Sequence, residues 1–244
     1  MNEAAILAAK ENRSFIRQSD IDRAFVKVGI GAEKKSRVIS EKEKKITAYH
    51  ESGHAILFHV LPDVGPVHTV SIIPTGVGAA GYTMPLPGED EMFNTKGKML
   101  QDIMVSLGGR IAEEIIFGDV TTGASQDIKH ASKIARAMVT QYGMSEKFGL
   151  MGLESRESMY LDNGSVLNCS DETASHVDEE VMRILKEAYE EAKRLLTENR
   201  ECLDQISAFL IEKETITGKE FMEIFHKVRD EANEYHQEEL IFAE

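Results

Sequence analysis

His50, Glu51, Ser52, Gly53 and His54 set two imidazoles four residues apart with a carboxylate beside the first. On a helix, residues so spaced share one face with roughly 5 to 6 Å between their Cβ atoms, within reach of a single metal ion. Zinc suits such donors, and Glu51 stands where it reaches a metal-bound water without itself coordinating the metal. The pattern is that of a hydrolase. The plainer alternative is two ordinary polar helix histidines beside a solvated glutamate, and the flanking elements decide between the two.

Those flanks predict a helix. Ser40 followed by Glu43 forms a capping box, so the helix starts near Ser40. Ile46, Tyr49, Ile56, Leu57 and Val60 surround the histidine face, and Pro62 ends the helix at about Leu61. Gly53 costs about 1 kcal/mol relative to Ala inside a helix, which points to another backbone or a substrate passing close to His54. A catalytic zinc takes three protein ligands, so a further donor is required. One candidate is Glu113 or Glu114 in a helix expected from Lys98 to Phe117, where a pair with Arg110 is the structural alternative. The other is Asp127, just after the turn Thr121 to Ala124, with Ser125 as the expected cap. Geometry puts Asp127 ahead, because a short carboxylate on a first helical turn is held stiffly. Complementing the helix dipole is its plainer role.

The remaining elements must carry these residues. Asn2 to Lys10 and Ser19 to Lys27 read as two short helices followed by a glycine-containing, charged connector. Val67 to Pro74 and Gly78 to Pro87 read as two strands joined at Thr75 to Gly78, the one good strand signal in the chain. Helices follow at Lys98 to Phe117 and Ser125 to Tyr142, closed by Gly118 and Gly143. Gly149 to Cys169 reads largely as loop. From Asp171 the helical spacing runs to about Asn199 and again from Glu201 to Glu212. A second capping box, Thr217 with Glu220, starts a last helix. This third of the chain is expected to be a helical hairpin with an addition, whose apolar faces cover either the core or a subunit interface. The fold class is mainly α with a small β-sheet.

Composition narrows the function. With 244 residues, 42% of them hydrophobic, the chain suffices for one main domain. A formal charge of −14 argues against a sequence-independent grip on nucleic acid or on an anionic membrane surface. No run approaches 18 apolar residues and no signal peptide is legible, so a soluble chain is expected. Cys169 and Cys202 belong to no CxxC pair and read as reduced thiols. His59, His68, His130, His176, His226 and His236 show no ligand spacing and are expected to be structural.

The stretches AYHESGHA, SLGGRIAEEIIFGDVTTGASQDI and QYGMSEKFGL together resemble the peptidase domain of the FtsH-type ATP-dependent zinc metalloproteases of the AAA+ group. The likeness runs from about Arg37 to the Thr217 to Phe221 region. NEAAILAA at residues 2–9 resembles the end of that family's ATPase lid. The resemblance implies residues 1–36 as the remnant of the lid with its linker, and 37–244 as a helical zinc metallopeptidase domain built on the HExxH helix. It implies one Zn²⁺ per chain held by His50, His54 and Asp127, with Glu51 as the catalytic carboxylate and Glu113 and Glu114 left to structural roles. It further implies a homo-hexamer acting on unfolded or membrane proteins, with a strand in Gly78 to Pro87 guiding extended substrate.

The sequence has no GxxxxGK[ST] loop, so ATP belongs to an ATPase module outside it and no ATPase activity is expected of this chain. Membrane attachment, with this domain on the cytoplasmic side, is expected only through an N-terminal part outside the sequence. The rival reading is a non-catalytic module in which zinc braces the fold and the C-terminal helices drive ring assembly.

Overall fold

A computed structural model of the protein describes residues 1–29, 31, 39–75, 80–86, 92–155 and 166–242. The order is α1 (Asn2–Lys10), α2 (Gln18–Gly29), α3 (Glu41–Val60), β1 (Val67–Ser71), β2 (Tyr82–Pro85), α4 (Lys96–Phe117) and α5 (Ser125–Thr140). Then come β3 (Glu154–Ser155), β4 (Val166–Leu167), α6 (Asp171–Glu198), α7 (Arg200–Lys213), β5 (Thr215–Thr217) and α8 (Gly218–Phe242). Helices dominate, as expected. None among the described residues is long and apolar enough to cross a membrane.

Local chemistry sets the ends of the helices. The Ser40 hydroxyl accepts from the Glu43 amide at 3.2 Å while the Ser40 amide donates to Glu43 Oε2 at 3.4 Å, the expected capping box. Thr217 and Glu220 repeat it ahead of α8, with amide-to-side-chain distances of 3.3 and 2.9 Å. Gly118 closes α4 in the left-handed region at φ 63°.

The antiparallel sheet runs β2-β1-β5, so β2 is an edge strand. Its register sets Val70 opposite Thr83 on one side and Ile216 on the other, with an irregularity between Val67 and Thr69. The turn expected at Thr75 to Gly78 lies largely outside the described residues, as does most of the expected connector at 30–38.

Three expectations are corrected. The strands within 67–87 are not the only ones: β5 pairs with β1, and β3 pairs with β4 inside the stretch read largely as loop. Strands of two or three residues are too short to show alternation, and only their distant partners define them. The C-terminal hairpin is also absent. α6 packs on α4 and α5 while α7 packs on α3, so the two apolar faces turn to the shared core more than to each other. That core includes Ile56, Ile103, Met138, Leu196, Leu203 and Phe221. Finally, Ser125 does not cap α5. A short 3-10 turn at Thr122–Ala124 runs straight into the helix, and the capping hydroxyl is that of Thr121, which accepts from the Gly123 amide at 3.1 Å.

Cys169 and Cys202 are both free thiols, and Cys202 is buried. His59 packs edge-on to Phe225 with ring centroids 4.3 Å apart, in keeping with a structural role.

Candidate metal centre

α3 and α4 pack most extensively of all helix pairs, and small residues make the contact possible. A Cβ added at Gly53 would lie 2.5 Å from Gly108 O, so the backbone inferred to pass close to His54 is that of α4. A Cβ at Gly109 would enter the His50 ring itself. Gly108 and Gly109 let α4 run against the histidine face of α3.

The histidines are oriented from behind. His54 Nδ1 lies 2.7 Å from Val105 O, and a carbonyl only accepts, so that nitrogen carries the proton and Nε2 presents a lone pair. Burial, then the neighbouring His50, pushes the His54 pKa down to about 4 and keeps the ring neutral. His50 Nδ1 lies 2.8 Å from Glu113 Oε1. Burial works against ionising Glu113, but His50 and Thr121 outweigh it and hold the carboxyl below its usual pKa. Thr121 donates to that carboxylate twice, from its amide at 2.7 Å and its hydroxyl at 3.1 Å.

Thr121 therefore joins two jobs. It fixes the carboxylate behind His50, and it begins the turn that sets where α5 starts. Asp127, on the first turn of α5, is thereby delivered to the front of the histidines: its Oδ2 lies 3.3 Å from His50 Nε2 and 3.9 Å from His54 Nε2. The two Nε2 atoms are 3.1 Å apart. Among the described residues, His50, His54 and Asp127 form the one group of three such side chains whose donor atoms all lie within 4.8 Å of one another.

This convergence tests the fit of a metal. With Nδ1 protonated in both rings, two imidazole lone pairs and one carboxylate oxygen face a common point, an arrangement that repels itself without a positive centre. A proton relieves it in part: burial disfavours charge on His50, yet Asp127 and Glu113 push its pKa up to about 10. Asp127 responds in the opposite direction, its carboxyl held below the usual range by the two rings against the effect of burial. One proton satisfies one lone pair, whereas a divalent cation satisfies all three. Two imidazoles with a carboxylate are donors that zinc takes.

The alternative donors point elsewhere. Glu113 meets the far nitrogen of His50, and Glu114 bonds Tyr189 and, at 2.7 Å, Lys193. Arg110 reaches Thr121 O at 3.4 Å rather than pairing with either glutamate. The place of Glu113 behind His50 is not announced by the sequence pattern. A trace of it is present in the glycine one turn earlier, where the ring lies over α4.

Glu51 is buried on the strand side of the histidines. Thr83 Oγ1 lies 2.8 Å from its Oε2 and 3.1 Å from its main-chain oxygen. Burial pushes the Glu51 pKa up to about 7, while His50 and Thr83 hold it back.

Comparison with known proteins places residues 37–224 on the model of a family described as Peptidase family M41. Over 226 residues the chain is 50% identical to a protein named ATP-dependent zinc metalloprotease FtsH from Clostridium perfringens, an alignment covering 93% of this chain and 32% of that protein. A Petrotoga mobilis protein named ATP-dependent zinc metalloprotease FtsH 3 is 47% identical over 238 residues, 96% of this chain and 37% of its own length. A Caldicellulosiruptor bescii protein named ATP-dependent zinc metalloprotease FtsH is 48% identical over 228 residues, 92% of this chain and 37% of its own length. The chain thus spans about a third of the length of these relatives.

Proposed function

This chain belongs to peptidase family M41, and from that premise we propose that it is a zinc endopeptidase cutting unfolded or extended protein chains, with His50, His54 and Asp127 holding the metal and Glu51 as general base. The observation that carries the reading is the meeting of two imidazole nitrogens and one carboxylate oxygen beside a buried carboxylate. Zinc held there supplies Lewis acidity toward water and a peptide carbonyl. Glu51 takes the proton of the attacking water and returns it to the leaving amine. The Nδ1 bonds to Glu113 and Val105 keep both histidines in the tautomer that presents Nε2.

Substrate enters as a strand. β2 lies at the sheet edge and its Thr83 touches Glu51, so an extended peptide added beside β2 brings its carbonyls near the base. Pairing through main-chain groups asks little of side-chain identity, and selectivity is broad. ATP-driven delivery of substrate, assembly into a hexameric ring, and membrane anchorage are proposed for a longer protein of the kind the relatives represent.

The test is Glu51→Gln. The variant keeps zinc by elemental analysis and loses digestion of casein; full digestion by it would remove the assigned base.

A further inference from the structure

Glu51 is held from two directions. Its backbone belongs to α3, but its carboxylate is tied to the sheet by Thr83, whose hydroxyl is 2.8 Å from Oε2. That hydroxyl has a single proton and a second acceptor in Glu51 O at 3.1 Å, and the charged carboxylate is the nearer and stronger partner. Glu51 is buried, so the contact is not one that bulk water replaces. Two residues earlier, Gly81 passes so close that a Cβ there would lie 2.9 Å from Glu51 Cγ and 2.6 Å from Ser71 O. Residues two apart in an extended segment face the same way, so positions 81 and 83 both address Glu51, one by close passage and one by a hydrogen bond.

We infer that Thr83 is the positioning residue of the general base: it engages Glu51 Oε2, leaves Oε1 to take the proton of water, and locks the base to the strand beside which substrate lies. The inference rests on the reading of Glu51 as base. It gives the edge strand a second task, because the element that aligns the peptide also aligns the group that acts on it. A base misplaced by a fraction of an ångström loses much of its advantage, which is why one hydroxyl matters here.

The experiment separates the hydroxyl from its volume. Thr83→Val keeps the shape without the donor, Thr83→Ala removes both, and Thr83→Ser keeps the donor without the methyl. On the intact zinc-loaded chain, Val and Ala lower kcat for an unstructured peptide by roughly 10- to 100-fold with KM within about twofold, while Ser stays within about threefold of the parent. Zinc content is unchanged in all three, and a crystal structure of Thr83→Val shows the Glu51 carboxylate rotated from its parent position. Activity that follows side-chain volume, with Val like Thr and Ser like Ala, overturns the inference, as does loss of zinc alongside activity. If Val fails to fold, Ala against Ser still separates the donor from the methyl. Failure of this inference is distinct from failure of the base: an inactive Glu51→Gln beside a fully active Thr83→Val rejects only the role of Thr83.

Discussion

The corner where α3, α4 and α5 meet and the long helix α6 both bury carboxylates in helical surroundings, yet they are held in different ways. In the corner the ties that orient the two histidines and Glu51 span long stretches of chain: His50 to Glu113, His54 to Val105 and Glu51 to Thr83. Each group has few partners, and Gly53, Gly108 and Gly109 are what let the two helix backbones close on one another there. α6 is held by a stripe that includes Val177, Val181, Ile184, Ala188, Ala192 and Leu196, with near-neighbour ion pairs such as Arg183 with Glu187 and Arg194 with Glu198 on its outer face. Such exposed pairs contribute little individually and replace one another readily. The long helix is redundant and the corner is not, so equal chemical changes in the two carry unequal consequences.

The largest effect is expected at the front of the corner. Asp127→Ala leaves two facing imidazoles without the acid that completes them, so the purified chain drops from about one equivalent of zinc to almost none and casein digestion ceases. Zinc retained tightly, with activity, in this variant would move the third ligand to another side chain. The change behind the corner is milder. Glu113→Gln keeps an acceptor for His50 Nδ1 but removes its charge and turns an amide toward the Thr121 donors. Zinc affinity, measured by competition with a chelating dye, should weaken by about 10- to 100-fold. An unchanged affinity would mean that packing over Gly109 alone orients the ring.

The same contrast explains what the chain reveals before it is folded. The HExxH helix, both capping boxes and the glycine stops are local grammar, and the ends of α3, α4 and α5 fall within a few residues of expectation. Asp127 is legible as one of two candidate positions, because the turn before it announces a helix start but not what that start faces. Glu113, Val105 and Thr83 are invisible in these roles. Their partners lie 63, 51 and 32 positions away, and one of the three acts through a backbone carbonyl that no side-chain pattern reveals. β5 is hidden for the same reason: Thr215 has strand character through its pairing with Ser71, not through its neighbours.

The smallest effect belongs to the long helix and sharpens the comparison through pH. Glu180, almost fully buried on α6, accepts from Arg183 at 2.8 and 2.9 Å and from Ser145 at 2.9 Å. Arg183 lowers its pKa to about 2, against burial and with help from Ser145. A carboxyl depressed on folding adds stability that is complete above its unfolded pKa, near 4.3, and is lost as pH falls toward 2. Because the Arg183 side chain is half exposed, solvent screens the pair, and about 1 kcal/mol is the reasonable scale. Glu180→Gln should therefore melt roughly 2–4 °C below the parent at pH 6, with the gap closing as pH falls through 4 toward 2. Both chains share the metal corner, so its own response to acid cancels in the difference. A gap that stayed constant with pH would assign the contribution of Glu180 to packing rather than charge, and α6 would then resemble the corner more than its outer ion pairs suggest.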